Sequence, residues 1–151
     1  MSHGLAETEN RIVIRGDPDR VFALAAAVEQ WPEFLPHYRF VRVLAEEEDA
    51  RIVEMAARRG VIPVRWISRQ WRDPATRRIR FRHVGGLSRG MAVEWRIDPC
   101  PEGTQVVIHH LLKLDLPLIG SAVGTWIVGE QFVRVIAGRT LACLKARVER
   151  E

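Results

Sequence analysis

The chain has 151 residues, 47% of them hydrophobic and 28% charged, with a formal net charge of +4. That is the size and balance of one ordinary globular domain, which excludes a disordered chain and leaves no room for two comfortable domains. Nearly all the positive charge is arginine, Lys113 and Lys145 being the lysines, and it is interleaved with Asp and Glu along the whole length. Such interleaving describes a solvated surface, so no nucleic-acid partner is expected.

Residues 1–9 read as a flexible tail and residues 10–151 as a single domain. Arg11-Ile12-Val13-Ile14-Arg15 is a first strand, ended by Gly16. Asp17 then offers a helix cap, and Pro18 fits the first helical position, where its missing N–H is no loss. From Pro18 to Val28 the apolar residues Val21, Phe22, Leu24, Ala25 and Val28 recur at helical spacing. A second short helix or turn over Glu29–Phe34 stops before Pro36. The run Trp31-Pro32-Glu33-Phe34-Leu35-Pro36-His37-Tyr38 is too rigid and apolar for an ordinary solvated connection.

From Tyr38 the period changes to two. Tyr38–Glu46 and Arg51–Arg58 read as paired strands around the acidic turn Glu47-Glu48-Asp49, and Val61–Arg72 follows Gly60. In Arg77–Val84, Ile79, Phe81 and His83 alternate with Arg78, Arg80 and Arg82, the pattern of a half-buried strand with its arginines in water. Met91–Ile97 alternates in the same way, and Thr104–Leu114 is the last strand. After Pro117 a helix extends to about Val148, with Ile119, Val123, Trp126, Ile127, Val133, Ile136, Leu141 and Leu144 near helical spacing. Gly120, Gly124, Gly129 and Gly138 each lower its intrinsic helicity by up to about 1 kcal/mol, so packing must hold it.

Alternation also sorts the residues that could do chemistry. Trp66, Ser68 and Gln70 share an inward face, as do His83 with Phe81, Trp95 with Met91, and His110 with Ile108; Arg65, Arg69 and His109 face outward. An apolar surface with a few convergent polar groups is the usual make-up of a small-ligand site. His83 and His110 are candidates for general acid–base work, and Tyr38 and Ser68 for hydrogen bonds to a carbonyl or enolate. Trp31, Phe34, Trp66, Gln70, Phe81, Met91, Trp95 and Ile108 are the candidate ligand wall. Each has a plainer reading beside it: a core histidine, a serine bonded to a neighbouring backbone group, a packed aromatic. His3 and His37 read as solvated. Scattered histidines argue against a metal site, and no cofactor is expected. Cys100 and Cys143 form no disulfide framework or metal motif, and no apolar run approaches the ~18 residues that span a bilayer. With no signal-peptide core either, the expected compartment is cytoplasmic.

The order strand, two helices, six strands, long helix, together with Asp17-Pro18…Val21-Phe22, the Trp31–Pro36 corner and Trp66-Ile67-Ser68, resembles the START/Bet v 1-like superfamily. Within it the likeness is to the polyketide cyclase/dehydrase and coenzyme Q-binding group. The resemblance covers roughly residues 10–148 and implies an α+β helix-grip fold: a seven-stranded antiparallel sheet wrapped around the C-terminal helix, with an apolar cavity between them. It implies a hydrophobic small-molecule partner, a polyketide, a lipid or a quinone; the many basic residues suit at most transient contact with an anionic membrane, and a monomer or homodimer is expected. In the family's cyclases a Trp-x-Ser-x-Arg pattern supplies an arginine as acid or anchor; here Trp66 and Ser68 match, as does Tyr38, but Gln70 stands at the arginine position. Ile108 likewise stands where those cyclases often present an aromatic. Two readings follow: cyclisation and dehydration of a polyketide-like substrate, or non-catalytic carriage of a lipid or quinone.

Overall fold

A computed structural model describes residues 4–86, 88–114 and 121–151, with side chains over 7–86, 88–111 and 133–151. Strands β1 (Gly4–Ile14), β2 (Tyr38–Glu46), β3 (Arg51–Arg59), β4 (Ile62–Asp73), β5 (Arg78–Gly86), β6 (Ala92–Cys100) and β7 (Gly103–Leu114) form one antiparallel sheet in the order β1-β7-β6-β5-β4-β3-β2. Six strands follow one another as a meander, while β1 closes the far edge on β7. Helices α1 (Pro18–Ala26) and α2 (Trp31–Phe34), joined by a 3₁₀ turn at Val28–Gln30, lie between β1 and β2, and α3 (Ser121–Glu149) follows the sheet. This is the helix-grip arrangement of the α+β class.

Local chemistry accounts for the elements. Asp17 caps α1 by accepting from the Arg20 amide at 3.1 Å, with Pro18 in the first turn. In β3 to β7 the side chains largely alternate between core and surface, and their inward set builds the core: Val53, Ile79, Ile97, Val106 and Ile108 are almost fully buried. From α3, Leu141 and Leu144 press onto that surface, chiefly against β1. Register shifts in β2–β3 and at Ile67/Ser68 in β4–β5 mark the irregularities that add local twist to a curling sheet.

One boundary differs in kind from the sequence reading. Residues 4–9, expected as part of a tail, belong to β1, where Gly4 pairs with Leu114 and Glu9 with His109. The reason is non-local: without them the second half of β7 would present unpaired backbone groups along an open edge. Polar Glu7, Thr8, Glu9 and Asn10 carry no strand signal of their own. Of the residues expected to stripe the last helix, Ile119 lies outside the described residues, as do the side chains of Val123, Trp126 and Ile127; so does Gly120, one of the glycines expected within it.

Candidate functional site

The rigid corner builds the centre of the inner face. Trp31 opens α2 and is buried, with its Nε1 donating to the Ala25 carbonyl at 3.2 Å. Its ring lies 5.1 Å from Tyr38 in an edge-on arrangement, 5.6 Å from Trp95 and 6.4 Å from Phe81. Tyr38 is 6.1 Å from Trp66, which stacks at 10° on His83 with 5.6 Å between centroids. Five residues expected as separate pieces of wall or chemistry, Trp31, Tyr38, Trp66, Phe81 and Trp95, thus form one aromatic cluster with His83 at its end. Such ring pairs each add roughly 0.5–1.5 kcal/mol beyond their area, so the cluster is structural whatever else it touches. Met91 and Ile108 are buried on the same face, and Phe34, half-buried, packs against the hydrophobic core.

Ser68 and Gln70 are fully buried, as alternation requires, and both are engaged by the protein. Ser68 donates to the Arg82 carbonyl across the β4–β5 ladder at 3.2 Å. Gln70 donates from Nε2 to the Ala26 carbonyl at 3.1 Å and accepts at Oε1 from Arg51 Nε at 2.8 Å. Arg51 was missed by sequence reasoning, which read it only as the first residue of a strand. It is 6% exposed, sits directly opposite Gln70 in the β3–β4 register, and also donates to Ala26 O at 3.2 Å and Glu29 at 2.5 Å. A guanidinium therefore does stand beside position 70, supplied from the neighbouring strand. The signal was available: Arg51 shares its parity with Val53 and Met55, an arginine on an inward set.

The histidines divide differently from expectation. His83 bonds Ser88 Oγ through Nδ1 at 2.6 Å, and burial pushes its pKa down to about 4. His110, opposite Val93 on the next strand pair, has its Nδ1 shielded from solvent with no hydrogen-bond partner among the described residues. Burial, then the nearby His83 and His109, lower its pKa to about 3. Both imidazoles are therefore neutral at pH 7. His37, expected in solvent, is buried: its Nε2 meets Thr140 Oγ1 at 2.8 Å, and burial followed by the Arg139 charge brings its pKa to about 4. The corner turns it inward onto α3 because Tyr38 next to it and Leu35 two positions before it are anchored in the core. Burial raises the Tyr38 phenol above its ordinary range, with Thr140 at its hydroxyl. It stays a hydrogen-bond donor and does not ionise at working pH.

His109 faces outward and contacts Glu7, as its parity predicts. A depression of about 460 Å³ opens on this outer face, lined by Trp71, Arg80, Arg82, Ala92, Glu94 and Leu111 among others. Among the described residues no cluster of three or more His, Cys, Asp or Glu side chains is placed to hold a metal, and no helix is long and apolar enough to cross a membrane.

Comparison with known proteins adds to this geometry. A family model described as polyketide cyclase / dehydrase and lipid transport matches residues 14–135. The granaticin polyketide synthase bifunctional cyclase/dehydratase of Streptomyces violaceoruber is 29% identical over 106 residues, covering 68% of this chain and 33% of that protein. The actinorhodin polyketide synthase bifunctional cyclase/dehydratase of Streptomyces coelicolor is 29% identical over 133 residues, covering 87% of this chain and 40% of the relative. The chain thus spans between a third and two-fifths of the length of these curated relatives. Among solved structures, the Zhui aromatase/cyclase from Streptomyces sp. R1128 superposes with a TM-score of 0.85 at 21% identity, covering 97% of this chain and 95% of that one, a likeness of fold.

Proposed function

Since the chain belongs to the polyketide cyclase / dehydrase and lipid transport family, we propose that it binds an oxygenated hydrophobic molecule over the inner face of the sheet and promotes its cyclisation and dehydration by acid–base chemistry. The observation that carries the proposal is the pair His83 and His110 on the inner face of β5 and β7, the strands flanking β6, the second with its Nδ1 shielded from solvent and without a partner among the described residues. A neutral imidazole takes an α-proton from a poly-β-ketone; the enolate carbon then attacks a second carbonyl carbon, and the imidazolium returns the proton to the new alkoxide. Loss of a further α-proton to imidazole, followed by departure of the hydroxyl as water with the proton the imidazolium returns to it, forms the C=C bond and completes the dehydration. Tyr38, held as a phenol, is the donor suited to a developing enolate. Ser68 and Gln70, both committed to backbone groups, are assigned to holding the wall.

The test is cyclisation of a poly-β-ketone analogue, followed by product analysis. His110→Ala and His83→Ala should each lower kcat by about 10² to 10⁴-fold, the range for a positioned acid–base group. Unchanged turnover in both variants sinks the catalytic reading. One observation favours the alternative of a lipid or quinone carrier: Gln70 replaces the arginine of the resembled pattern, and the charge of Arg51 is already met by Glu29. In that case the histidines line a binding surface, and neither substitution changes more than ligand affinity.

A further inference from the structure

The turn joining β3 and β4 has a composition that an ordinary hairpin tip lacks. Arg59 pairs with Ile62, so the turn is the two residues Gly60-Val61, with Gly60 at φ +60, the first-position glycine of a type II′ hairpin. At its apex Val61 is 93% exposed and Ile62 52% exposed, followed by the exposed Pro63. This is a convex aliphatic point with nothing packed on it among the described residues.

Its surroundings are basic. The Arg58 amide donates to the His37 carbonyl at 2.8 Å, Trp66 pairs with Gly86, and the Arg89 amide donates to the Gly86 carbonyl at 3.2 Å. The start of β2, the β3–β4 tip and the β5–β6 loop therefore lie along one end of the sheet. The segments 34–41, 55–66 and 88–92, which run through this end, contain no Asp or Glu. Arg39, Arg58 and Arg89 are exposed there and have no ion pair among the described residues. Farther along the strands, Arg42 and Arg65 share Glu54, which partly offsets those two charges. Opposite charges meet elsewhere on the sheet, as in Arg78–Asp98 and Arg80–Glu94, so among the described residues the imbalance belongs to this end.

We propose that this end of the sheet docks on an anionic lipid bilayer, with Val61 and Ile62 entering the interface and Arg39, Arg58 and Arg89 facing the headgroups. Anionic charge alone would suit an acidic protein as well. The protruding aliphatic tip decides between them, because a bilayer interface accepts a convex apolar point without needing a matching pocket. The docking holds whichever chemistry the inner face performs.

Co-sedimentation with phosphatidylcholine vesicles, with and without phosphatidylglycerol, tests it. The protein should bind the anionic vesicles, ignore the neutral ones, and release as salt rises. Arg58→Gln and Arg89→Gln should each weaken binding about fivefold, the equivalent of ~1 kcal/mol per basic residue at a membrane surface. Val61→Ser with Ile62→Ser should weaken it further, with an unchanged melting temperature because both side chains are exposed. A Val61→Trp variant read with brominated lipids should show quenching above that of the native tryptophans. No binding to anionic vesicles at low salt overturns the proposal, as does absence of the added quenching. So does loss of binding to soluble polyglutamate in the arginine variants while the Val61/Ile62 double variant binds vesicles normally; that result assigns the patch to an acidic protein. Turnover of a soluble substrate by the Val61/Ile62 variant separates failure here from failure of the interior reading.

Discussion

At the scale of single residues, the inner face is governed by groups that folding forces to be neutral or paired. His37, His83 and His110 all have pKa values pushed down by burial, to about 4, 4 and 3. Their unfolded value lies near 6.5, so between roughly pH 6.5 and pH 4 the unfolded chain binds more protons than the folded one. Stability should be level above pH 7 and fall steeply as pH drops through that window. Thermal melts from pH 4 to 8 check this, and a melting temperature that is flat down to pH 4.5 would contradict it. The Arg51–Gln70 pair gives a second expectation. Arg51→Gln removes the donor to Gln70 Oε1 and one of those to Ala26 O, at a cost of about 1–3 kcal/mol for buried groups left unpaired. Gln70→Arg sets a second guanidinium against Arg51 and should cost more. The double exchange puts one arginine back beside one amide, and a denaturant double-mutant cycle should show it recovering most of the combined loss. Additive losses would mean that the two positions do not interact.

At the scale of elements, two glycines act in opposite directions. Gly86, at φ +98, ends β5, and a Cβ there would come within 2.8 Å of the Arg65 carbonyl. Gly86→Ala should therefore destabilise by a few kcal/mol, through both the left-handed backbone and the clash. Gly138 sits inside α3, where a Cβ would meet only Asn10 Nδ2 at 3.5 Å, an ordinary contact. Gly138→Ala should stabilise by up to about 1 kcal/mol of helix propensity. Urea unfolding of both variants reads the contrast, and a stabilised Gly86→Ala would contradict a left-handed backbone at Gly86. The element pattern was largely legible beforehand. The strands Tyr38–Glu46 and Thr104–Leu114 and the start of α1 at Pro18 agree with alternation and capping to within a residue, because both signals are carried by the segment itself. The N-terminal half of β1 was not legible, since its strand state comes from a partner some hundred positions away.

At the scale of the whole molecule, the proposed function predicts a stabilising ligand. Material extracted from freshly purified protein and identified by mass spectrometry should include an apolar, oxygenated molecule. Returning it should raise the melting temperature with concentration, as mass action requires for anything that binds only the folded state. Failure of any extracted or supplied apolar compound to shift the melt would remove the shared basis of the enzyme and carrier readings. The sequence by itself determined the order of strands and helices and the inward set of Trp66, Ser68, Gln70, His83, Trp95 and His110, because a period of two and a period of 3.6 are written locally in each segment, while the helix-grip fold followed from the family resemblance. Only the tertiary structure decided which of those groups are spoken for. It set Arg51 against Gln70, closed Ser68 onto Arg82 O, turned His37 inward to Thr140 and left His110 Nδ1 without a partner among the described residues. Hydrogen-bond satisfaction depends on which strands and helices become neighbours, and that is settled by the packing of the sheet on its helices, not by the order of residues within any one of them.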